Sequence, residues 1–397
     1  MTPPRPSARL PHLTRLRNLK MARSAHAYVR GSTVQFYEWL HSQPGRRLPQ
    51  GPAIWICGDC HAGNLGPTAS AKGQIDMHIR DLDQAVIGNP AHDLVRLALS
   101  LATAARGSDL PGVTTARMLE EMMRGYEQAF DDQPDAAPPR PAQVKSGMRS
   151  AVKRTWKNLA RERIENARPT IPLGKHFWPL SRQEKTAIRT VCASAEIQQL
   201  VTSLKGRSKD AEVELLDAAY WVKGCSSLGL LRYAVLLGVG DKSDQEYCLI
   251  DIKEAVGAAA PRAARAHMPR DNGKRVLEGA RQLSPALGER MISTRFLDHG
   301  FFIRELLPQD MKLELDELSE TDAMHAAGYL ARVVGIAHAR QMDRATRKQW
   351  IADLHVNRSK ELEAPSWLWT SVVQLVGKHE EGYLNHCRRY ALENSKS

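Results

Sequence analysis

The stretch at residues 58–64, Gly-Asp-Cys-His-Ala-Gly-Asn, and the acidic stretch Arg-Asp-Leu-Asp at residues 80–83 constrain this chain most strongly. Together they offer one proton acceptor and two oxygen ligands of the type that magnesium prefers. Chemistry on a metal-held phosphate needs these groups and little covalent participation of the protein. The pattern therefore predicts that Asp59, Asn64 and Asp81 belong to one site that handles phosphate.

Hydrophobic patterns on both sides predict the local structure of this site. The apolar run at residues 53–57 and the segment at residues 74–79 are typical of strands. A break at a proline is followed by an apolar helix, in which Asp93 lies near the N-terminus. We therefore expect residues 58–64 to form a loop next to a strand that ends at Asp81.

A second group of signals lies in the middle of the chain. Residues 224–229 read Gly-Cys-Ser-Ser-Leu-Gly between two predicted strands, and the glycines would let the backbone approach phosphate oxygens. The same residues also fit an ordinary hairpin turn. Lys253 follows in a third predicted strand, where apolar neighbours favour a buried, ion-paired ammonium group. Glu278, in a helix predicted over residues 272–290, is the expected partner of this lysine.

Composition predicts a protein without membrane segments. The chain has 397 residues, and no apolar run approaches the ~20 residues that would span a bilayer. Its N-terminus is basic but lacks a continuous apolar segment, which argues against a secretory signal. Six scattered cysteines in a chain of this length resemble reduced thiols. These observations predict a cytoplasmic protein with two or three domains' worth of core, or one large two-lobed enzyme.

The formal net charge of +12 leaves three kinds of partner open: nucleic acid, a membrane surface and anionic small molecules such as ATP. Basic residues recur at helical spacing in one segment, with a tryptophan among them: Lys145, Arg149, Lys153, Arg154, Lys157, Arg161 and Trp156. This pattern is typical of an exposed helix face, and a nucleic-acid surface is the alternative.

Two further motifs carry less specific chemistry. Cys57, Cys60 and His61 fit the C-x-x-C-H pattern of covalent haem attachment, and they also suggest zinc. The lack of an export signal argues against haem, and the lack of a second Cys/His pair at ligand spacing argues against zinc, so we expect buried thiols. His338 ends an Ala-rich helical pattern, which favours a packed or capping histidine.

The predicted elements divide the chain into four parts. Residues 1–110 contain the Asp59 segment within a helical region, and residues 111–210 are helical with a proline-rich linker at residues 131–141. Residues 211–318 form a β-rich unit, and residues 319–397 are helical again. The fold class expected from this order is α+β.

The first block resembles the catalytic loop of aminoglycoside phosphotransferases and choline kinases, which belong to the protein-kinase-like superfamily. The matching pattern is Gly-Asp-x-His-x-x-Asn, followed by Asp-Leu-Asp and then by Asp-Leu at residues 93–94. The resemblance implies that Asp59 orients or deprotonates the acceptor hydroxyl. It also implies that Asn64 and Asp81 hold Mg²⁺.

Supporting residues follow from the same resemblance. Asp93 would brace the loop through the loop's backbone amides, and Asp83 would be a further metal or loop contact. His61 belongs to the matching pattern, and the resemblance implies a supporting role for it. Cys57 stands where these enzymes usually have histidine, so the bracing of the loop must differ here.

Over nearly its full length, the chain also resembles the bacterial family called domain of unknown function 2252. The blocks that carry this resemblance lie at residues 20–31, 57–66, 80–83, 93–97, 224–229, 252–255, 275–279, 303–306 and 337–340. Two positions depart from the pattern, because Ser226 replaces the middle glycine of the phosphate loop and Leu82 replaces a common phenylalanine.

The order of the blocks is the reverse of the order in kinases, since the Asp59 segment precedes the glycine-rich segment and Lys253. The resemblance therefore implies a circularly permuted, two-lobed, protein-kinase-like fold. It would have a mostly helical catalytic lobe and a smaller antiparallel β-rich nucleotide lobe.

These resemblances imply an ATP- and Mg²⁺-dependent phosphotransferase that acts on an unidentified acceptor hydroxyl. The residues that would cover or hold its phosphates are Gly224, Ser226, Ser227, Gly229, Lys253 and Glu278. Nucleotidyl transfer stays open, because the motif residues do not distinguish which phosphate reacts. A non-catalytic nucleotide-binding scaffold and a basic nucleic-acid-binding protein are the alternatives.

Overall fold

Helices and antiparallel strands make up the computed structural model of the chain, which describes residues 4–42, 48–131, 140–153, 170–204, 206–241, 245–311, 319–356 and 364–390. The fold is mixed α+β, as the sequence predicts. Within these ranges, none of the helices has the length and apolar character needed to cross a membrane. Two predicted features lie partly outside the described residues. They are most of the proline-rich linker and four residues of the basic segment, Arg154, Trp156, Lys157 and Arg161.

Three helices open the chain: α1 (Arg9–Met21), α2 (Ala25–Gly31) and α3 (Thr33–His41). The sequence pattern predicts one mostly helical stretch over residues 20–42, and the structure divides it. The Ser24 hydroxyl accepts a hydrogen bond from the Ala27 amide at 3.1 Å, so this serine begins α2 as an N-cap.

Two strand pairs are nested in the next part of the chain. They are the antiparallel pair β1 (Ile54–Ile56) with β4 (Val86–Gly88) and the antiparallel pair β2 (Leu65–Ala69) with β3 (Ile75–Ile79). The chain leaves the outer pair and returns to it through two connections, the Asp59 loop (residues 57–64) and the Asp81 loop (residues 80–85). A hydrogen bond of 2.7 Å from the Arg80 amide to the Asn64 carbonyl joins these two loops. Nesting therefore brings the two acidic stretches of the sequence side by side.

Three helices follow: α4 (Ala91–Gly107), α5 (Gly112–Gln128) and α6 (Ala142–Lys153). α4 is buried along most of its length, which agrees with its nearly continuous apolar sequence. Lys145 and Arg149 of the predicted basic face are exposed on α6.

An antiparallel six-stranded sheet comes next, in the order β5-β6-β7-β8-β10-β9. Its strands are β5 (Phe177–Trp178), β6 (Val213–Trp221), β7 (Arg232–Val239), β8 (Glu246–Glu254), β9 (Met291–Phe296) and β10 (His299–Leu306). Helices α7 (Arg182–Cys192) and α8 (Ala195–Thr202) precede β6, and helices α9 (Asn272–Leu283) and α10 (Pro285–Gly288) lie between β8 and β9. The sequence pattern predicts helix over residues 142–205 and does not reveal the short β5.

The chain ends in three helices: α11 (Glu320–Ala339), α12 (Arg344–Leu354) and α13 (Ser366–Tyr390). A methyl group on Gly125 would lie 2.0 Å from the Gly328 carbonyl oxygen, so glycine allows α5 and α11 to pack at close range. Residues of α3, α4, α5, α9, α11 and α13 share one hydrophobic core. The Asp59 loop thus lies between a helical body, built from both ends of the chain, and the sheet.

Candidate functional site

Asp93 holds the start of the Asp59 loop from the first turn of α4. Its fully buried carboxylate accepts hydrogen bonds from the Cys57 amide at 2.7 Å and from the Gly58 amide at 2.9 Å. Hydrogen bonds to an ionised acceptor are stronger than neutral ones, so two of them restrain the loop firmly. Asp93 therefore braces the start of the Asp59 loop through two backbone amides.

A buried chain of hydrogen bonds supports Asp93 from behind. Trp350 Nε1 donates to the Tyr126 hydroxyl at 3.0 Å, which lies 2.9 Å from His338 Nδ1, and His338 Nε2 lies 3.2 Å from Asp93 Oδ2. Because an ionised carboxylate only accepts, Nε2–H of His338 donates to Asp93, and in the neutral ring Nδ1 then accepts from the Tyr126 hydroxyl. His338 is thus a packed histidine, and Tyr126 and Trp350 are supports that the sequence pattern does not reveal.

Arg96 fixes the orientation of the Asp59 carboxylate. Its Nε donates to Asp59 Oδ1 at 2.9 Å, and its Nη2 donates to the Val29 carbonyl at 2.6 Å. The guanidinium is fully buried, whereas the Asp59 side chain is 11% exposed at the cleft. Sequence reasoning assigned no role to Arg96. Its position three residues after Asp93 on one helix is the signal that could have found it, because both side chains then face the same loop.

His61 is a neutral, buried neighbour of Asp59. Its Nε2 lies 4.0 Å from Asp59 Oδ2. Burial lowers the pKa of the imidazole to about 3 and outweighs the opposite effect of the carboxylate. His61 therefore adds no charge beside Asp59 near neutral pH.

Asn64 and Cys57 tie the Asp59 loop together. Asn64 lines the cleft, and its Nδ2 donates to the Asp59 carbonyl at 2.9 Å, which leaves the amide oxygen for other partners. Cys57 Sγ donates to the Asp81 carbonyl at 3.5 Å, so this thiol supplies a bracing contact between the Asp59 loop and the Asp81 loop. Hydrogen bonding with the buried Cys60 and burial raise the pKa of Cys57 well above its usual value.

Lys253 of β8 reaches the Asp81 loop from the sheet. Its Nζ forms an ion pair with Asp83 Oδ2 and lies 3.7 Å from Asp81 Oδ1. The lysine side chain is only 5% exposed, whereas 50% of the Asp81 side chain is exposed. Two parts of the chain that are 170 residues apart therefore meet at this ammonium group.

The two carboxylates beside Lys253 differ in their affinity for a proton. The Lys253 ammonium beside Asp81 holds the pKa of that carboxyl well below its usual range. Burial and the neighbouring Asp81 charge raise the pKa of Asp83 to about 7. The site thus contains one firmly ionised carboxylate and one whose charge depends on its surroundings.

Glu278 does not pair with Lys253. It forms an ion pair with Arg281 at 2.8 Å on the outer side of α9, where both side chains are partly exposed. The helix is present as predicted, but its rotation places Gly279 against the Asp81 loop, where a methyl group would lie 2.6 Å from Ala85 Cβ. The predicted Lys253–Glu278 pair is therefore replaced by the pair of Lys253 with Asp83.

Arg275 makes the contact between α9 and the site. Its guanidinium donates to the carbonyl of Asp83 at 2.9 Å, to that of Val256 at 2.8 Å and to that of Ala85. Because Arg275 is buried, these bonds fix the backbone of the Asp81 loop to the segment after β8. The sequence offers no local signal for this role, since the partners lie far away in the chain.

The glycine loop (residues 224–229) faces the site from the sheet. Gly224 and Gly229 have φ angles of +101° and +111°, which other residues rarely adopt. A methyl group on Gly224 would also lie 2.3 Å from Ser227 Oγ. Ser226 and Ser227 line the cleft, so their hydroxyls are available to a ligand.

The three loops border one cleft of about 480 Å³. Two groups of its lining residues are each treated as a wall of the cleft: Asp59, Asn64, Asp81 and Asp83 of the two acidic loops, and residues 226–230 at the glycine loop. This volume falls in the range of small-molecule and cofactor sites. The structure therefore brings the predicted base, the predicted metal ligands and the predicted phosphate loop to one cavity.

The oxygen atoms of the cleft suit a magnesium ion that arrives with phosphate. Asp81 and Asn64 line the cavity, and the buried Asp83 Oδ1 has no hydrogen-bond partner among the described residues. Mg²⁺ commonly takes one or two carboxylates plus substrate phosphates and keeps several waters. The described part of the chain contains no cluster of three or more His, Cys, Asp or Glu side chains that could form a complete protein cage.

Comparison with known proteins gives the family of the chain. A search of the curated proteins and a search of the solved structures found no match. The family model described as "Uncharacterized protein conserved in bacteria (DUF2252)" matches residues 9–389. Because this match runs from the start of α1 almost to the end of α13, the chain belongs to the DUF2252 family.

Proposed function

We propose that the protein is an ATP- and Mg²⁺-dependent phosphotransferase that acts on an acceptor hydroxyl. One observation carries the proposal: Lys253 meets the Asp81 loop at the cleft that Asp59 and the glycine loop also border. A cation, oxygen ligands for a metal, a carboxylate base and a glycine-rich cover are the groups that phosphoryl transfer requires.

The succession of elements in the sheet supports a kinase-like nucleotide lobe. β6, the glycine loop, β7 and β8 follow one another, β8 carries Lys253, and α9 then leads to the hairpin β9–β10. Protein kinases have a similar succession of glycine-rich loop, strand lysine and helix. Since Asp59 precedes this unit, we propose a circular permutation in which helices from both chain ends complete the second lobe.

In the proposed reaction, the acceptor hydroxyl oxygen attacks the γ-phosphorus of ATP. The new O–P bond forms to the acceptor, the P–O bond to ADP breaks, and ADP leaves with that electron pair. The acceptor proton passes to Asp59 through Oδ2, because Arg96 occupies Oδ1. Arg96 also holds the carboxylate in one orientation before a substrate binds, which lowers the cost of positioning the base.

The other residues of the cleft bind and orient the nucleotide. Asp81 and Asn64 would hold Mg²⁺, which neutralises phosphate charge when it is bound. Lys253 supplies a fixed positive charge beside Asp81 and Asp83, just behind the lining of the cleft, and the hydroxyls of the glycine loop supply donors. In this proposal, Asp83 takes the place of the helix glutamate that holds the lysine in kinases.

Binding and turnover of Mg-ATP test this proposal. In calorimetry, we expect Mg-ATP to bind the wild type and Asp59→Asn with similar affinity. Lys253→Met should bind it at least about tenfold more weakly. With γ-labelled ATP and a mixture of small hydroxyl compounds, label should move to an acceptor with the wild type and not with Asp59→Asn. Absence of Mg-ATP binding to the wild type, or full transfer by Asp59→Asn, contradicts the proposal.

Each alternative predicts a different experimental outcome. Nucleotidyl transfer would move label from α-labelled ATP to the acceptor and release pyrophosphate. A nucleotide-binding scaffold would be stabilised by Mg-ATP in thermal unfolding without consuming it over hours. A nucleic-acid-binding protein would bind generic DNA or RNA with a steep dependence on salt concentration.

A further inference from the structure

Helix α1 lies along the glycine loop from one end to the other. Near the end of the helix, Lys20 Nζ donates to the Gly224 carbonyl at 2.9 Å. Near its start, Leu10 Cδ1 lies 3.2 Å from the position that a Cβ atom on Gly229 would occupy. Ten helical residues cover about 15 Å, so the helix runs antiparallel to the loop and spans it. The residues between Leu10 and Lys20 are therefore placed over the middle of the loop.

α1 is anchored at both ends, so this placement is part of the fold. At the N-terminal end, Arg9 forms a buried ion pair with Glu184 at 2.7 Å and lies over the ring of Tyr220, 4.4 Å from its centroid. At the C-terminal end, the Asn18 carbonyl is hydrogen-bonded to His386 Nε2 of α13 at 2.8 Å. The helix thus joins the sheet to the helical body beside the cleft.

One face of α1 borders the cleft. Leu10, Thr14 and Arg17 are spaced as one helix face and all three line the cavity. Arg17 is half-buried and forms no hydrogen bond or ion pair with any other residue that the structure describes. By contrast, the neighbouring Arg9 and Lys20 are engaged with the protein itself. Arg17 is therefore a cation at the cleft whose charge is not neutralised by a carboxylate of the described chain.

Arg17 is the single cation among the charged residues of the described ranges that line the cavity. The other charged lining residues are the acids Asp59, Asp81, Asp83 and Glu254. Lys253 lies behind the lining and is already paired with Asp83. A polyphosphate carries several negative charges, and a guanidinium matches phosphate geometry well, so the unpaired Arg17 is suited to bind it beside the metal and this lysine.

We propose that Arg17 binds the phosphate groups of the nucleotide from the side of α1. This inference rests on the proposed function and adds to it a residue outside the kinase-like motifs. It assigns α1 as a third wall of the nucleotide site, whose ligand class is a nucleoside triphosphate. Arg17 would then hold the phosphates against the glycine loop, while Leu10 and Thr14 cover the loop without charge.

Calorimetric titrations with Mg-ATP and with adenosine test this inference. We expect Arg17→Ala to weaken Mg-ATP binding by about tenfold or more and to leave adenosine binding unchanged, because adenosine lacks phosphates. Arg17→Lys should keep part of the Mg-ATP affinity, since it keeps the charge but loses the planar fork. Arg15→Ala is the matched control, because it removes one positive charge from an exposed position of the same helix.

The outcomes separate this inference from the proposed function. If the wild type binds Mg-ATP and Arg17→Ala binds it equally well, the role of Arg17 is overturned and the proposed function stands. An equal loss in Arg15→Ala and Arg17→Ala would also overturn it, because the effect would then be one of net charge. If the wild type itself does not bind Mg-ATP, both proposals fail. Thermal unfolding of each variant checks that the fold is intact.

Discussion

The two walls of the cleft are held in very different ways. The Asp59 loop is mostly buried and receives side chains from two helices. Tyr37 of α3 donates to the Gly58 carbonyl at 2.6 Å, and Ser100 of α4 accepts from the Ala62 amide at 2.9 Å. Asp93 and Arg96 of α4 add the contacts to the loop backbone and to the base.

The glycine loop has fewer restraints. Gly224 and Ser226 are exposed, and two of its backbone hydrogen bonds are local, from the Leu228 amide to the Cys225 carbonyl at 3.1 Å and from the Leu230 amide to the Ser227 carbonyl at 3.2 Å. The contact from Lys20 to Gly224 is a hydrogen bond at an exposed site. Such segments lie at the low end of local stability in a folded protein.

This difference matches the tasks that the two walls would have. A base acts well only in a fixed orientation, so a preorganised Asp59 lowers the barrier of the proposed reaction. A cover over phosphate must admit and release a ligand, so it gains from a small number of contacts. We therefore expect changes in the Asp59 loop to affect folding, and changes in the glycine loop to affect binding.

The largest effect should come from Asp93→Ala. This substitution leaves the Cys57 and Gly58 amides and His338 without their buried acceptor, and each unsatisfied buried group costs about 1–3 kcal/mol. We expect the free energy of unfolding to fall by at least about 3 kcal/mol in urea denaturation. Asp210→Ala, at an exposed position, should change it by less than about 0.5 kcal/mol. Equal stability of both variants would show that the Asp59 loop is not braced in this way.

A double-mutant cycle between Lys253 and Asp83 tests whether the sheet and the Asp81 loop meet in solution. Lys253→Met leaves two carboxylates without their cation, so we expect a loss of about 2–4 kcal/mol of unfolding free energy. Adding Asp83→Asn removes one of these charges and should restore part of the loss. The coupling energy from urea denaturation of the four proteins should be about 1–3 kcal/mol. Strictly additive effects would mean that the ion pair does not form.

A smaller effect should appear in the pH dependence of stability. The pKa of His61 is about 3 in the folded protein and about 6.5 in an unfolded chain. Between these pH values a proton binds to His61 in the unfolded chain but not in the folded protein, so the free energy of unfolding falls as the pH falls. Between pH 6.5 and pH 5, His61→Gln should lose about 2 kcal/mol less unfolding free energy than the wild type. His92 and His379 titrate in both proteins and cancel in this comparison. Parallel stability curves would indicate that water reaches the His61 ring.

Local patterns in the sequence account for much of the Asp59 wall. The Gly-Asp-x-His-x-x-Asn pattern, the two flanking strands and the helix of Asp93 lie close together in the chain, so periodicity and capping rules predict them. The sequence also predicts the glycine loop and the strand of Lys253. These are the parts in which local propensity and the fold agree.

Other parts of the site depend on contacts that no local pattern encodes. Arg275 holds the carbonyl of Asp83, which is 192 residues away, and Trp350 supports Asp93 through two intermediate side chains. Glu278 shows that prediction can fail within a single helix. The sequence predicts the helix, but the packing of Gly279 against the Asp81 loop sets the rotation of the helix and turns Glu278 toward Arg281. Rotation of a helix and choice among distant partners are decided by tertiary packing, which a single sequence does not display.

The smallest effect on stability, but a clear effect on binding, should come from Gly224→Ala. A side chain at φ +101° is strained, and a methyl group there would meet Ser227 Oγ, so the glycine loop must shift. Because few other contacts depend on this loop, we expect a loss of only about 1 kcal/mol of unfolding free energy, together with a severalfold weaker affinity for Mg-ATP in calorimetry. Gly174→Ala is the matched control, since a methyl group there meets open space. If Gly224→Ala instead destabilises the protein as much as Asp93→Ala does, the glycine loop is as firmly braced as the Asp59 loop, and the contrast between the two walls disappears.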